Sequence, residues 1–213
     1  DDIARLQADR IVCLGDIVGY GADPAACLRI VREHADLCVL GNHDAAVFSV
    51  AERAFFNPTA RKAVNWTAAQ LSDDDIAYLR GLPFRASVED LLFVHSAPRA
   101  PEQWEYIFSG MEARLSGRYF HERICFVGHS HVPGMYPIDA GVRAYAHDQR
   151  FLINVGSVGQ PRDGDWRSSY GFLDTVAGTY ENRRLEYDVD SAARKIRERG
   201  LPPRLAERLR LGE

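Results

Sequence analysis

Four apolar runs in this chain each lead straight into side chains able to hold a metal ion. They are RIVCL ending at Leu14, LCVL ending at Leu40, LLFV ending at Val94 and ICFV ending at Val127. The continuations are Gly15-Asp16, Gly41-Asn42-His43-Asp44, His95 and Gly128-His129-Ser130-His131. Short runs rich in β-branched and aromatic residues read as buried strands. Strands that end in Asp, Asn or His deliver those groups to one edge of a sheet, where an α/β fold opens its crevice. Nitrogen and oxygen donors converging there make the donor set of a divalent metal site.

The rest of the pattern fits such a scaffold. DDIARLQAD reads as the end of an amphipathic helix. A helix is predicted over 24–34, with Pro24 in its first turn and Leu28, Ile30 and Val31 apolar. Helical sequence then runs from about Ala45 to Leu79, broken near Asn57-Pro58, and Ser72-Asp73-Asp74-Asp75 opens its last segment. Another helix is expected over 102–118. Strands are predicted at 10–14, 37–41, 84–88, 91–95, 123–128, 133–138, 142–147, 151–155, 169–176 and 180–189, with a hairpin turn at Glu89-Asp90. The tail, 190–211, is helical around Pro202-Pro203. Alternating β/α units followed by antiparallel strands predict an α/β fold, a four-layer α/β/β/α sandwich of two mixed sheets. Because the segments interleave, 1–213 is expected to be a single domain.

Bulk properties narrow the partners. A chain of 213 residues, 46% hydrophobic, can bury a full core. Its net charge is −4 and no basic run stands out, so no dedicated nucleic-acid surface is expected. A small phosphorylated substrate is still compatible, because bound metal ions supply positive charge locally. No signal peptide or membrane-length apolar run is visible. Cys13, Cys27, Cys38 and Cys125 form no Cys-x-x-Cys pair and read as free thiols of a reducing, cytoplasmic environment. Oligomeric state is not legible.

Taken singly, each polar segment has an ordinary explanation. A Gly-Asp is usually a turn, and one histidine at a strand end is more often structural than a ligand. Repetition changes the balance. Asp16 can bridge two cations, with glycine beside it permitting close backbone approach. Asn42 offers a neutral oxygen, His43 an imidazole able to protonate a leaving oxygen, and Asp44 a carboxylate to orient that ring. His129 and His131, one residue apart, share a face if the segment is extended. The turn-rich 156–165 segment brings Arg162 as a phosphate contact, and Tyr20 and Arg99 are further crevice-lining candidates. Trp66, Trp104 and Trp166 read as packing residues.

These segments together resemble the calcineurin-like metallophosphoesterases, whose pattern runs Asp-x-His, Gly-Asp, Gly-Asn-His-Asp/Glu, a single His and Gly-His-x-His. The last four motifs stand in order between Gly15 and His131. Gly15-Asp16-Ile17-Val18-Gly19-Tyr20-Gly21 is similar to the small bacterial and archaeal phosphodiesterase branch. It differs from the protein-phosphatase and diadenosine-tetraphosphatase branch, where Asp-Arg-Gly follows. The resemblance implies two divalent ions (Mn, Fe, Ni or Zn, with Mn favoured), ~3.5–4 Å apart and holding a hydroxide for in-line attack on phosphorus. Asp16 would bridge them. Asn42, His95 and His129 would complete the second ion and His131 would bind the first. His43 would be the general acid with Asp44 behind it, acting on a small phosphodiester or nucleotide.

One motif is absent from the sequence. The family's Asp-x-His lies on its first strand and supplies two ligands to the first metal, and this chain has none. The expectation is an upstream segment of roughly 25 residues, about one strand, a turn and most of a helix. Without it the first ion would keep only Asp16 and His131, and activity would be weak or absent. A non-catalytic protein- or nucleotide-binding scaffold of the same fold is the alternative, and a phosphate sensor without turnover is a third reading. Retention of His43, His95, His129 and His131 favours the enzyme.

Overall fold

The strands at 91–94, 124–127 and 151–154 are buried on both faces, and the alternation of their side chains divides the core. The computed structural model describes residues 2–139 and 148–213. The order is α1 (Asp2–Leu6), β1 (Val12–Cys13), α2 (Pro24–His34), β2 (Leu37–Cys38), α3 (Asn42–Phe48), α4 (Val50–Ala54), α5 (Pro58–Ala68) and α6 (Asp73–Gly81). Then come β3 (Arg85–Val88), β4 (Leu91–Val94), α7 (Gly110–Ser116), β5 (Ile124–Val127), β6 (Gly134–Pro137), β7 (Phe151–Asn154), β8 (Ser168–Asp174), β9 (Thr179–Leu185), α8 (Val189–Glu198) and α9 (Pro203–Leu211).

β1 and β2 pair in parallel, and β8 and β9 form an antiparallel hairpin. The larger sheet has the order β3-β4-β5-β7-β6; its three inner strands are parallel and both edge strands run antiparallel. Phe93, Ile124, Phe126, Phe151 and Ile153 point to one face of that sheet and meet Val12, Leu14, Leu37, Val39, Leu173 and Tyr180. Leu92, Val94, Cys125, Val127 and Leu152 point the other way, onto Ala113 of α7 and Phe120. This period of two explains why the strands read as unbroken apolar runs. Each such large side chain contributes about 1.5–3 kcal/mol on burial. On the outer face of β2, the Tyr78 hydroxyl of α6 donates to Cys38 Sγ at 3.5 Å. Helices α2, α3, α5 and α6 share one apolar cluster there, so the layers run helix, sheet, sheet, helix.

Local signals account for most boundaries. Asn57 Oδ1 accepts from Ala60 N at 2.9 Å ahead of Pro58, and Ser72 and Ser109 form capping boxes with Asp75 and Glu112. Three expectations shift. The strands expected at 10–14 and 37–41 shorten to two residues each, although Asp36 N→Ile11 O (2.9 Å) and Val39 N→Cys13 O (3.0 Å) extend the contact. The helix expected from Ala45 starts at Asn42, because Asp44 accepts the Gly41 N–H and closes its first turn. The helix expected over 102–118 is a 3₁₀ turn at Pro101–Gln103 followed by α7 alone, since Trp104 takes a left-handed conformation (φ 55°) and redirects the chain. The strand expected at 142–147 lies outside the described residues. All four cysteines are free; Cys38 and Cys125 are buried and Cys27 is exposed. Among the described residues, no helix is long and apolar enough to cross a membrane.

Candidate metal centre

The turns after β1 and β2 cross so closely that only glycine fits. A Cβ on Gly15 (φ 87°) would lie 2.5 Å from Gly41 N, and one on Gly41 would collide with Asp16 N and Oδ1. The crossing places Asp16 at the mouth of β1, its side chain 6% exposed. Its Oδ1 accepts from His43 N at 2.9 Å and its Oδ2 from the Tyr20 hydroxyl at 3.2 Å. His95 Nε2 lies 3.5 Å from Oδ1 and His131 Nε2 lies 4.0 Å from Oδ2. Burial alone would raise the Asp16 carboxyl, but His95, His43 and the His131 contact outweigh it and hold it well below the carboxylate range.

Backbone carbonyls fix the ring tautomers. His95 Nδ1 faces Leu14 O at 2.6 Å, His131 Nδ1 faces Gln160 O at 2.6 Å, and His129 Nε2 faces Trp104 O at 2.9 Å. A carbonyl only accepts, so each of these nitrogens carries the proton. The other ring nitrogens of His95 and His131 are turned toward Asp16, and that of His129 toward His95. His95 Nε2 and His129 Nδ1 lie 3.1 Å apart. Ligand atoms of Asp16, His95 and His129 lie within 4.8 Å of one another, close enough to share one cation. Asn42 Oδ1 is also buried without a partner among the described residues. The nitrogen and oxygen donors therefore fit a divalent ion.

The two histidines after β5 reach the site differently from expectation. The segment is not extended: His129 (φ 61°) and His131 (φ 62°) are left-handed, as is Asp16 (φ 53°). Three non-glycine residues in this conformation cost about 1–3 kcal/mol each, a strain typical of functional sites. The turn is pinned by Asn154, whose Nδ2 donates to Gly128 O (2.6 Å) and Ser130 Oγ (2.9 Å), while its Oδ1 accepts from Gly156 N (2.9 Å). Asn154→Ala is expected to lower metal affinity about 10–100-fold, the usual effect of losing a group that orients ligands. Titration of the chelated protein with Mn²⁺ checks this; wild-type affinity would remove Asn154 from that role.

His43 is 6% exposed and stacks on Tyr20 at a centroid distance of 3.8 Å, with Phe56 at 4.6 Å. Its Nδ1 has no hydrogen-bond partner among the described residues. Asp44 does not stand behind this ring as expected. Its oxygens accept Val18 N and Gly41 N, both at 3.1 Å, so it ties α3 to the β1 turn. Arg162 reaches the site, donating to Tyr20 Oη at 3.3 Å and Gln160 Oε1 at 3.2 Å. Arg99 instead pairs with exposed Glu105 at 2.7 Å. Sequence reasoning missed Asn154 as a hinge of the site, and also Tyr106, whose ring stacks on His129 at 4.0 Å. The Asn154-Val155-Gly156 turn was a readable cue for the first; the second had none.

These buried imidazoles make the metal-free protein acid-sensitive. Burial is the leading cause that brings His43 to about 4 and His129 to about 3, and it lowers His131 as well. An unfolded histidine titrates near ~6.5, so below that pH the unfolded chain takes protons the folded chain refuses. The stabilisation is complete above ~6.5 and is lost as pH falls, by up to about 1.4 kcal/mol per pH unit for each imidazole. Asp44, raised by burial and by Asp16, works in the opposite direction, but it is one group against three. The melting temperature of chelator-treated protein should fall steadily from pH 7 to 5; a flat profile would contradict this.

Residues 1–178 match the calcineurin-like phosphoesterase superfamily domain. The chain is 36% identical over 222 residues to an uncharacterized protein of Methanocaldococcus jannaschii, an alignment spanning 100% of this chain and 90% of that protein. It is similar to a crystal structure of a metallophosphoesterase from Sphaerobacter thermophilus, with a TM-score of 0.85 and 39% identity over 97% of this chain and 89% of that one. A hypothetical protein from Pyrococcus horikoshii OT3 shares the fold at a TM-score of 0.81 and 15% identity, over 100% of this chain and 90% of that one.

Proposed function

The chain belongs to the calcineurin-like phosphoesterase superfamily, and from that premise we propose that it is a two-metal phosphodiesterase acting on a small phosphodiester or nucleotide. The observation that carries the metal reading is the convergence of His95 and His129 ring nitrogens on a buried Asp16 carboxylate. Asp16, Asn42, His95, His129 and His131 are the residues proposed to hold the ions. When bound, divalent ions would supply Lewis-acid charge to the phosphoryl oxygens and lower the pKa of water.

The chain's own groups do the remaining work. Carbonyls of Leu14, Trp104 and Gln160 hold three imidazoles in fixed tautomers, so the site is organised before substrate arrives. Tyr20 and Arg162 orient the phosphate, the guanidinium offering planar donors suited to it. His43 protonates the leaving oxygen from a ring nitrogen. Its pKa of about 4 reflects burial, and a phosphate anion beside the ring raises its proton affinity again. Tyr106, which stacks on His129, is 47% exposed at the edge of the site.

The test uses the intact protein with bis(4-nitrophenyl) phosphate and, separately, 4-nitrophenyl phosphate. The expected result is Mn²⁺-stimulated hydrolysis that stops on chelation, faster for the diester. Chelator-resistant hydrolysis would sink the metal reading, and faster monoester cleavage would sink the diester preference.

A further inference from the structure

Trp104 holds His129 through its carbonyl, and its indole reaches back into the first half of the chain. The residue is left-handed (φ 55°), the conformation that aims its carbonyl at His129 Nε2, 2.9 Å away. A bulky side chain seldom rests in that region unless its neighbours keep it there. Further along the same segment Ile107 is buried in the core, and Tyr106 stacks on the face of the His129 ring at 4.0 Å. The segment therefore meets His129 twice, along Nε2 and across the ring.

The indole shows what keeps Trp104 in place. Its Nε1–H donates to Glu52 Oε2 at 2.8 Å, across 52 positions of sequence. The ring also meets Phe84 at 5.7 Å and stands edge-on to His95 at 6.0 Å. Those ring contacts fill space, whereas a hydrogen bond to a carboxylate fixes direction as well. Glu52 is half-buried on α4. Ser49 joins α4 to α3: its N–H donates to Ala45 O at 2.9 Å, and its Oγ accepts from Glu52 N at 3.3 Å. The first two residues of α3 are Asn42 and His43. The Glu52–Trp104 bond thus braces the helix pair that begins with Asn42 against the segment that holds His129. These two candidate ligands come from different halves of the chain, and the brace joins them with protein groups alone.

We propose that Glu52 is a positioning residue that acts through Trp104 to hold the His129 ring in fixed relation to Asn42, so that the metal centre is organised before an ion arrives. The inference rests on the metal-binding reading of Asn42 and His129. It gives a role to a residue outside the strand-end motifs, and it makes Trp104, expected only to pack, the link between the two halves of the site. A ring whose Nε2–H is held by a fixed carbonyl has the direction of its Nδ1 fixed too, and that nitrogen lies 3.1 Å from His95 Nε2.

Long-range ¹H–¹⁵N spectra of the intact, chelated protein read the His129 tautomer without turnover, with the signals assigned from a His129→Gln sample. In the wild type the proton should sit on Nε2. Glu52→Ala should shift His129 toward a mixture of tautomers. It should also weaken Mn²⁺ binding about tenfold, the low end for groups that orient a ligand, because Glu52 acts one residue further out. Glu52→Gln keeps an acceptor oxygen and should stay within about threefold of the wild type. Trp104→Phe keeps a ring and the carbonyl but removes the N–H, so it should reproduce Glu52→Ala. The double variant should then lose no more than either single one. A thermal melt shows which variants are folded; if Glu52→Ala is not, Trp104→Phe against Glu52→Gln makes the same comparison. Unchanged His129 signals on loss of the bond, an equal loss in Glu52→Gln, or additive losses in the double variant would each overturn the proposal. A wild type that binds no Mn²⁺, but whose His129 signals respond to Glu52→Ala, keeps the positioning role and loses the metal reading. Tight Mn²⁺ binding that is indifferent to Glu52 does the reverse.

Discussion

Asp16→Asn is expected to lower turnover by roughly 10³-fold or more and to remove most of the bound metal. The asparagine keeps an oxygen for the His43 N–H, now 2.9 Å from Oδ1, and keeps nearly the same volume. What it loses is charge, at the point where three imidazoles converge on a carboxylate that is 6% exposed. Lewis-acid stabilisation of a phosphoryl transition state is worth several kcal/mol, and 1.36 kcal/mol is about a tenfold change in rate. The fold should persist, because the crossing of the two turns is set by Gly15 and Gly41 rather than by the carboxylate charge. Metal content by elemental analysis, turnover with an aryl phosphodiester and a thermal melt separate these terms. Wild-type metal and turnover in the Asp16→Asn protein would remove Asp16 from the centre of the site.

The residues that form this centre were legible because their signal is local. Each follows a continuous apolar run, buried on both faces in β4 and β5, whose end is marked by a glycine or a histidine. The layer order followed from the same runs. What sequence could not supply was backbone handedness and long-range hydrogen bonding. His129 and His131 were expected to share a face through extended geometry, but they reach the same centre through two left-handed residues held by Asn154, 23 or more positions away. Asp44 was expected behind His43 because the two are adjacent. Its oxygens instead satisfy the N–H groups of Val18 and Gly41, since an α-helix leaves its first donors unpaired and a buried carboxylate needs donors. The helix expected over 102–118 failed for a similar reason. Trp104 turns left-handed so that its carbonyl can hold His129, a demand made by a residue 25 positions away.

His43→Ala is expected to lower turnover by roughly 10²–10⁴-fold, the usual size of a general-acid effect, while metal content stays near wild type. The geometry separates the ring from the ligand group. His43 offers Asp16 its backbone N–H, a bond that alanine keeps, whereas its ring lies between Tyr20 and Phe56 with Nδ1 unpartnered among the described residues. His129 differs, because its Nδ1 lies 3.1 Å from His95 Nε2, and His129→Ala should therefore reduce bound metal. Removing the His43 ring leaves a cavity under Tyr20, so a parallel His43→Gln variant, closer in volume, controls for packing. Leaving-group chemistry then isolates the proton. An aryl leaving group of low pKa departs without protonation, while an alkyl alkoxide does not, so the loss on His43→Ala should shrink as the leaving group improves. Equal losses across that series, or loss of metal with the ring, would assign His43 to ligation or packing instead of acid catalysis.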